Sequence, residues 1–319
     1  MLSELDIIRR YFTRPAPGAV LGVGDDAALI KPSAGMELAI STDMLVSGRH
    51  FSADADPRKL GHKSLAVNLS DMAAMGARPR WVVLALALPE ADEKWLEAFA
   101  GSFFRLANAH QVELIGGDTT RGPLNICVQI IGEVAKGKAL RRSGARPGDE
   151  IWVSGHLGDA ALALAHAQRR IVLEANEAAD CQPALDVPTA RVELGQRLIG
   201  LARGAIDISD GLLADLGHIL ECSKVAAVIK MHELPRSAVM EKYLSQPTAM
   251  SCLLAGGDDY ELCFTAPKAR RGKIEQLARE LGIPLTRIGR IGEGEGLVVL
   301  DAKGKTVTLE TKGYDHFHA

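Results

Sequence analysis

No stretch of the chain reaches the roughly 18 uninterrupted apolar residues that a membrane-spanning helix needs, so no transmembrane segment is expected. The first residues, Met1-Leu2-Ser3-Glu4-Leu5-Asp6, also lack the basic and apolar regions of a secretory signal, and a cytoplasmic location is the expectation. The five cysteines (Cys127, Cys181, Cys222, Cys252 and Cys263) never take CxxC spacing, which argues against a zinc site and a disulfide framework. They read as reduced core thiols. Excess basic charge is missing too. A formal net charge of −3 and a pI near 6.3 leave no electrostatic footprint for nucleic acid or an anionic membrane. A nucleotide ligand would therefore need metal ions to offset its charge. A P-loop is absent: Gly304-Lys305-Thr306 resembles its end, but the glycine required five positions before Gly304 is Val299, in a segment that reads as strand.

What is present is a recurring acidic turn wherever a short apolar or β-branched run stops. Val20 to Val23 leads into Gly24-Asp25-Asp26, and Leu38 to Ile40 into Ser41-Thr42-Asp43. Leu114-Ile115 leads into Gly116-Gly117-Asp118-Thr119-Thr120, Ile206 into Asp207-Ile208-Ser209-Asp210-Gly211, and Leu253-Leu254 into Gly256-Gly257-Asp258-Asp259-Tyr260-Glu261. One Asp beside a Gly is ordinary turn chemistry. Five converging turns would repel one another unless cations sat between them. Oxygen ligands from carboxylate, Thr and Ser suit Mg²⁺, which keeps several waters and gives its remaining positions to substrate phosphates.

At 319 residues and 34.0 kDa the chain is expected to exceed one hydrophobic core, and two domains are the reading. Hydrophobic content of 47% with 24% charged residues is that of a soluble globular protein. Residues 3–13 read as an amphipathic helix with Leu5, Ile8 and Phe12 inward, ended by Pro15-Ala16-Pro17-Gly18. Strands are expected at 20–23, 38–43, 81–88, 112–116 and 124–134, and helices at 57–75 and 92–110. In the last of these strands Ile126, Val128 and Ile130 alternate with Cys127 and Gln129, as a half-buried strand requires. The polar, turn-rich stretch from Arg141 to Asp149 follows, and the domain boundary is placed near residue 138, dividing 1–138 from 139–319. The second half is expected to hold strand 150–154, the turn Ser154–Asp159 and an Ala/Leu-rich helix to about 169. Helices near 189–203, 211–223 and 268–281 and strands near 225–230, 261–265, 286–291, 297–301 and 305–309 complete it. Interspersed strands and helices give an α/β or α+β protein.

Each motif has a bland alternative. Gly22-Val23-Gly24-Asp25-Asp26-Ala27 fits a dinucleotide fingerprint, with Asp43 near the ribose-contact distance. Against it, two carboxylates would face the pyrophosphate, and Pro32 stands where a crossover helix should continue. Helix 57–75 carries Ser64, Asn68 and Asp71 at spacings of four and three, hence on one face. That stripe is either a solvent face or, since Ala66 to Met75 is otherwise nearly uncharged, a buried carboxylate with a metal partner. Thr42-Asp43 and Gly117-Asp118 read either as turn or cap residues or as ligands. Asp207, Ser209 and Asp210 either cap the next helix or, with its N-terminal amides, face phosphate and metal. Gly158-Asp159 reads as a cap. Arg121, Arg141, Arg142 and Arg146 form a solvated face or, at Arg142, neutralise charge on a transferring phosphoryl group. His50 is the only histidine beside an acidic turn, where a surface role and a substrate contact both fit.

Taken in order and approximate spacing, six segments closely resemble the thiamine-monophosphate kinases from about residue 20 to the C-terminus. They are Val23–Ala27, Ser41–Asp43, Asn68-Leu69-Ser70-Asp71-Met72-Ala73-Ala74-Met75-Gly76-Ala77, Gly116–Thr120, Asp207–Gly211 and Gly313-Tyr314-Asp315-His316-Phe317. The resemblance implies ATP-dependent phosphorylation of thiamine monophosphate to thiamine diphosphate. It implies a two-domain, aminoimidazole ribonucleotide synthetase-like fold, with N-terminal sheets joined across a homodimer and a C-terminal α+β domain. By motif, it implies that Asp26, Thr42, Asp43, Asp71, Asp118, Asp207 and Asp210 are Mg²⁺ ligands, directly or through water. Gly117, Asp118, Arg142 and Ser209 would touch ATP, with Asp210 and Arg142 serving the transfer itself. His50, Asp258 and Tyr314 would hold the thiamine portion. The family commonly has Glu where this chain has Asp258, and the shorter side chain puts that contact in question. Selenophosphate synthetase, of the same superfamily, resembles the chain less, because it uses an N-terminal reactive Cys or selenocysteine and no Cys here precedes Cys127. A non-catalytic nucleotide or thiamine phosphate sensor would not need a multi-metal centre.

Overall fold

The computed structural model describes residues 2–307 together with Gly313 and Tyr314. Residues 308 and 309 of the strand expected at 305–309, and Asp315-His316-Phe317 of the C-terminal motif, lie outside the described residues. The chain divides into two compact units, one holding the residues up to Met72 and Ala77–Gly137, the other Ala73–Gly76 and the chain from Lys138 onward.

The first unit opens with α1 (Glu4–Ile7), capped by Ser3 and Asp6 in a reciprocal capping box and continued by a π turn, Ile8–Phe12. It continues with β1 (Met36–Val46), α2 (Pro57–Ala74), β2 (Arg78–Leu88), α3 (Glu93–Ala109), β3 (Glu113–Arg121) and β4 (Asn125–Ala135). The four strands form one sheet in the order β1-β4-β2-β3, antiparallel except for the β2–β3 pair. One face carries the helices, where Ile126, Val128 and Ile130 are fully buried. Trp95, Phe99 and Phe103 stack along α3. The opposite face is covered only in part, where Ala16, Ala19, Ala28 and Ile30 pack on Trp81, Ile115 and Ile131.

The expected strand at 20–23 is instead a narrow loop. Val20 and Leu21 donate their N–H groups to the Leu29 carbonyl and Leu21 accepts from Leu29, so only isolated bridges form. Pro15, Pro17, Gly18, Gly22 and Gly24 explain this, because neither residue type sustains a ladder. A second correction matters more for the site. Thr42-Asp43 and Gly117-Asp118 are not turns at strand ends but lie within β1 and β3, paired through Asp43–Val128 and Asp118–Ala85.

The second unit contains β5 (Asp149–Ser154), α4 (Asp159–Ala167), α5 (Ala175–Asp186), α6 (Val192–Leu198), β6 (Gly204–Asp207), α7 (Leu212–Ser223) and β7 (Ala226–Lys230). Then come α8 (Ala238–Tyr243), α9 (Pro247–Ala255), β8 (Leu262–Pro267), α10 (Arg271–Leu281), β9 (Leu285–Gly292) and β10 (Gly296–Leu300). Its sheet runs β10-β7-β9-β5-β8-β6, parallel only between β10 and β7. The core lies between this sheet and the helices, with Ile151, Val153, Ile206, Cys263 and Ile288 meeting Leu162, Leu216, Leu253 and Leu254. Helices α5, α8 and α9 are additions to the sequence reading. Pro183 near the end of α5 disguises it, and α9 is too uniformly apolar to show an amphipathic period.

Candidate active site

In the first unit, strand alternation sorts the expected ligands between the two faces of the sheet. Asp43 pairs with Val128 and so shares the helix-covered face, as does Ser41 two residues before it. There the Ser41 hydroxyl donates to Asp71 Oδ2, tying α2 to β1 two residues from Asp43. The polar stripe of α2 is therefore not a solvent face: Ser64 and Asn68 are buried and Asp71 is half-buried. Asn68 Nδ2 donates to the Ser64 carbonyl at 3.0 Å, while its buried Oδ1 meets no hydrogen-bond donor among the described residues. Thr42 and Asp118 point to the other face, Thr42 beside Gln129 (Nε2 to Oγ1, 3.3 Å). Exposed Asp26 lies in the 16–30 loop that packs over that face. Asp43 and Asp118 also stand on opposite edge strands, three strand spacings or roughly 14 Å apart. One ion cannot bridge them directly. Among the described residues, no three His, Cys, Asp or Glu side chains form a ready metal cage.

Gly117 sits where β3 runs close against β2. A Cβ there would lie 1.9 Å from the Leu84 carbonyl oxygen, and φ is +156°. Gly117→Ala is expected to push β3 off β2, lowering the melting temperature by several degrees and shifting Asp118. Thermal unfolding of the purified variant checks this, and an unchanged melting temperature would contradict it.

In the second unit the candidate residues gather on one loop, Asp207 to Gly211, between β6 and α7. Asp207 is buried at the end of β6. The Ser209 carbonyl accepts the Asp258 N–H at 2.9 Å, and the Asp210 carbonyl accepts the Tyr314 N–H at 3.1 Å. Nucleotide, metal and substrate candidates thus share a single backbone segment. Gly211 has φ +113°, and a Cβ there would lie 2.6 Å from the Ala255 backbone, so the loop passes the end of α9 only with glycine.

The residue that organises this loop is one the sequence reading missed. Asp215, in the first turns of α7, is buried, and its Oδ2 accepts the N–H groups of Ser209, Asp210 and Gly211 at 3.1, 3.0 and 3.1 Å. These three loop amides, which precede the first residue of α7, are thus occupied by a carboxylate. Burial, and then the charges of Asp207 and Asp210, push the Asp215 carboxyl up to about 7. The available signal was a glycine, with no side chain to cap, at the N-cap and an Asp four residues after it.

His50 Nδ1 accepts the Val46 N–H at 3.0 Å and closes the turn after β1. Asp159 follows the Gly158 cap, and Gly158 donates its N–H to Asp259 Oδ1. Asp258 is half-buried and Tyr314 exposed. Arg142 is exposed, and its carbonyl accepts from Ser223 Oγ at the far end of α7. Twelve helical residues, about 18 Å, separate that point from Gly211.

A paired sheet-and-helix unit bearing carboxylates on strand interiors, followed by a unit with an acidic loop ahead of a helix, matches two family models in sequence. Residues 24–134 match the AIR synthase related protein, N-terminal domain, and residues 146–302 the AIR synthase related protein, C-terminal domain. The chain is thus a two-domain AIR synthase-related protein. Within that class, the thiamine-monophosphate kinase of Escherichia coli (strain K12) is 48% identical over 320 residues, covering 99% of this chain and 98% of the relative. The crystal structure of thiamine-monophosphate kinase from Stenotrophomonas maltophilia K279a superposes with a TM-score of 0.85 at 48% identity, covering 96% and 97% of the two chains. AaThiL complexed with AMPPCP and TMP superposes with a TM-score of 0.78 at 31% identity, covering 98% and 96%. The chain belongs to the thiamine-monophosphate kinase family.

Proposed function

We propose that this chain transfers the γ-phosphoryl group of ATP to the phosphate of thiamine monophosphate, giving thiamine diphosphate by direct in-line displacement. The observation that carries the reading is the meeting of Asp258 and Tyr314 with Ser209 and Asp210 on one loop. The relative AaThiL, complexed with AMPPCP and TMP, supports the choice of co-substrates.

The donor set fits Mg²⁺. It is entirely hard oxygen, Ser41 ties Asp71 to β1 two residues from Asp43, and Asp207 and Asp210 lie close enough to Asp215 to add, after burial, to the rise of its carboxyl. Asp26, Thr42, Asp43, Asp71, Asp118, Asp207 and Asp210 would hold several such ions, which when bound neutralise the polyphosphate. Gly117, Asp118, Ser209 and Arg142 would touch the nucleotide. Asp210 and Arg142 would serve the transfer itself. His50, Asp258 and Tyr314 would orient the thiamine portion.

No strong base is needed, because the acceptor phosphate has a second pKa of about 6 and is largely dianionic at neutral pH. The chain's task is positioning two polyanions in line. We further propose a homodimer joined through the first unit's sheet. β1 is an edge strand whose helix-free face exposes Met36, Ile40 and Met44 at 41, 60 and 52%, an apolar row a second copy would cover. Light scattering after size exclusion should give about twice the chain mass, and a monomer would refute the dimer. Free cysteines throughout fit the cytoplasm.

A single-turnover assay with γ-labelled ATP, Mg²⁺ and thiamine monophosphate tests the reaction. Labelled thiamine diphosphate, with no labelled protein, is the expected product. Labelled protein would replace direct transfer by a phosphoenzyme route, and binding without turnover would make the chain a sensor.

A further inference from the structure

The segment Gly256–Glu261 is strained and heavily anchored, and its anchors single out a residue with no assigned role. Asp258 and Tyr260 both have left-handed backbones, φ +70° and +51°, although neither is glycine. Each such residue costs of order 1 kcal/mol or more and persists only where its surroundings enforce it. Here three backbone hydrogen bonds enforce it: Asp258 N–H to Ser209 O (2.9 Å), Tyr260 N–H to Ile208 O (2.8 Å) and Ile208 N–H to Glu261 O (2.8 Å). On either side of Tyr260, Asp259 turns its carboxyl inward to Gly158, and Glu261 is clamped by Arg191 and Ser154. The left-handed turn at Tyr260 brings its buried ring back under Asp258, and its hydroxyl donates to Asp258 Oδ1 at 2.8 Å.

We propose that Tyr260 is a positioning residue for substrate selection: its phenol fixes the Asp258 carboxylate as the acceptor for the amino group of the substrate's aminopyrimidine ring. The proposal rests on the reading of Asp258 as a thiamine contact. An Asp reaches less far than a Glu and has fewer rotamers to lose. Holding one carboxylate oxygen by a neutral donor aims the group without neutralising it. The Asp258–Ser209 backbone bond then sets this acceptor at a fixed distance from the loop proposed to hold phosphate and metal. A site built around such an acceptor discriminates strongly against a ligand lacking the matching N–H, because the aimed oxygen then loses the donor it was positioned to receive.

The test uses the full-length enzyme with Tyr260→Phe, Asp258→Asn and the double variant. Phe keeps the ring volume and removes only the hydroxyl. KM is measured separately for thiamine monophosphate and ATP, and kcat/KM is also compared for thiamine monophosphate and its analogue with hydrogen in place of the pyrimidine amino group. Tyr260→Phe should raise KM for thiamine monophosphate about tenfold and narrow the preference over the desamino analogue by a similar factor. KM for ATP should shift less than twofold. Added to Asp258→Asn, it should contribute almost nothing, since the two act through one contact. A rise for Asp258→Asn with none for Tyr260→Phe, or equal rises for both substrates, or additive effects, would overturn the role of Tyr260 alone. No rise in either variant would remove Asp258 from the substrate site and the proposal with it.

Discussion

Asp210→Ala is expected to lower kcat about a hundred- to a thousandfold, while the melting temperature stays at or slightly above that of the unsubstituted enzyme. The two halves of this expectation have separate causes. The backbone duties of Asp210, its N–H to Asp215 and its carbonyl to Tyr314, survive replacement by alanine. What disappears is a carboxylate beside Asp207 and Asp215, three acids whose mutual repulsion contributes to the raised Asp215 carboxyl. Removing one like charge relieves the loop. Catalysis loses a group proposed to set charge-neutralising Mg²⁺ against the transferring phosphoryl, and losses of one preorganised electrostatic partner run to about 10²–10³ in kcat. Asp71→Ala provides the parallel case in the first unit. It also forfeits the Ser41 hydrogen bond, so it should lose roughly 1 kcal/mol of stability as well. Steady-state rates at saturating Mg²⁺ and ATP, with thermal unfolding of the same samples, measure both. Near-normal turnover in both variants would end the metal-cluster model.

The fold was readable wherever a period was clean. β4 alternates Ile126, Val128 and Ile130 inward as expected, since a strand with one buried face must repeat every second residue. The aromatic stripe of α3 likewise follows the helical period. The sequence misled where local chemistry and tertiary pairing disagree. Gly116-Gly117-Asp118 has the composition of a turn, yet Gly117 is there because β2 passes within clashing distance of any side chain, and pairing carries β3 on through Asp118. For the site, the motifs named the acids but not their supports. Asp215 works by reaching back over its own helix end, and Tyr260 by a backbone conformation that composition does not announce. Period-two alternation already sends Thr42 and Asp43 to opposite faces of one sheet, but only the register against β4 shows which side each takes.

The strain in the Gly256–Glu261 segment has to be held by something that does not relax, and the arrangement at its end suggests what. Glu261 is buried at the start of β8, where it receives two hydrogen bonds from Arg191 and one from Ser154. Ser154 in turn accepts the Leu262 N–H at 2.9 Å, so the ion pair, β5 and β8 are locked together. Arg191→Ala would leave this carboxylate without its cation in a site only 8% exposed. Breaking such a buried pair costs about 3–5 kcal/mol, or roughly a 10 °C fall in melting temperature for a unit of this size. Replacing both partners by Met should recover much of that loss, because the penalty lies in the unpaired charge more than in the missing contact. If Glu261 is also what fixes the left-handed turn, Arg191→Ala should raise KM for thiamine monophosphate before the protein unfolds, with KM for ATP affected less. A fall of under 3 °C would mean that the pair behaves as an exposed one, and the strained segment would then owe its shape to the backbone bonds with Ile208 and Ser209 alone.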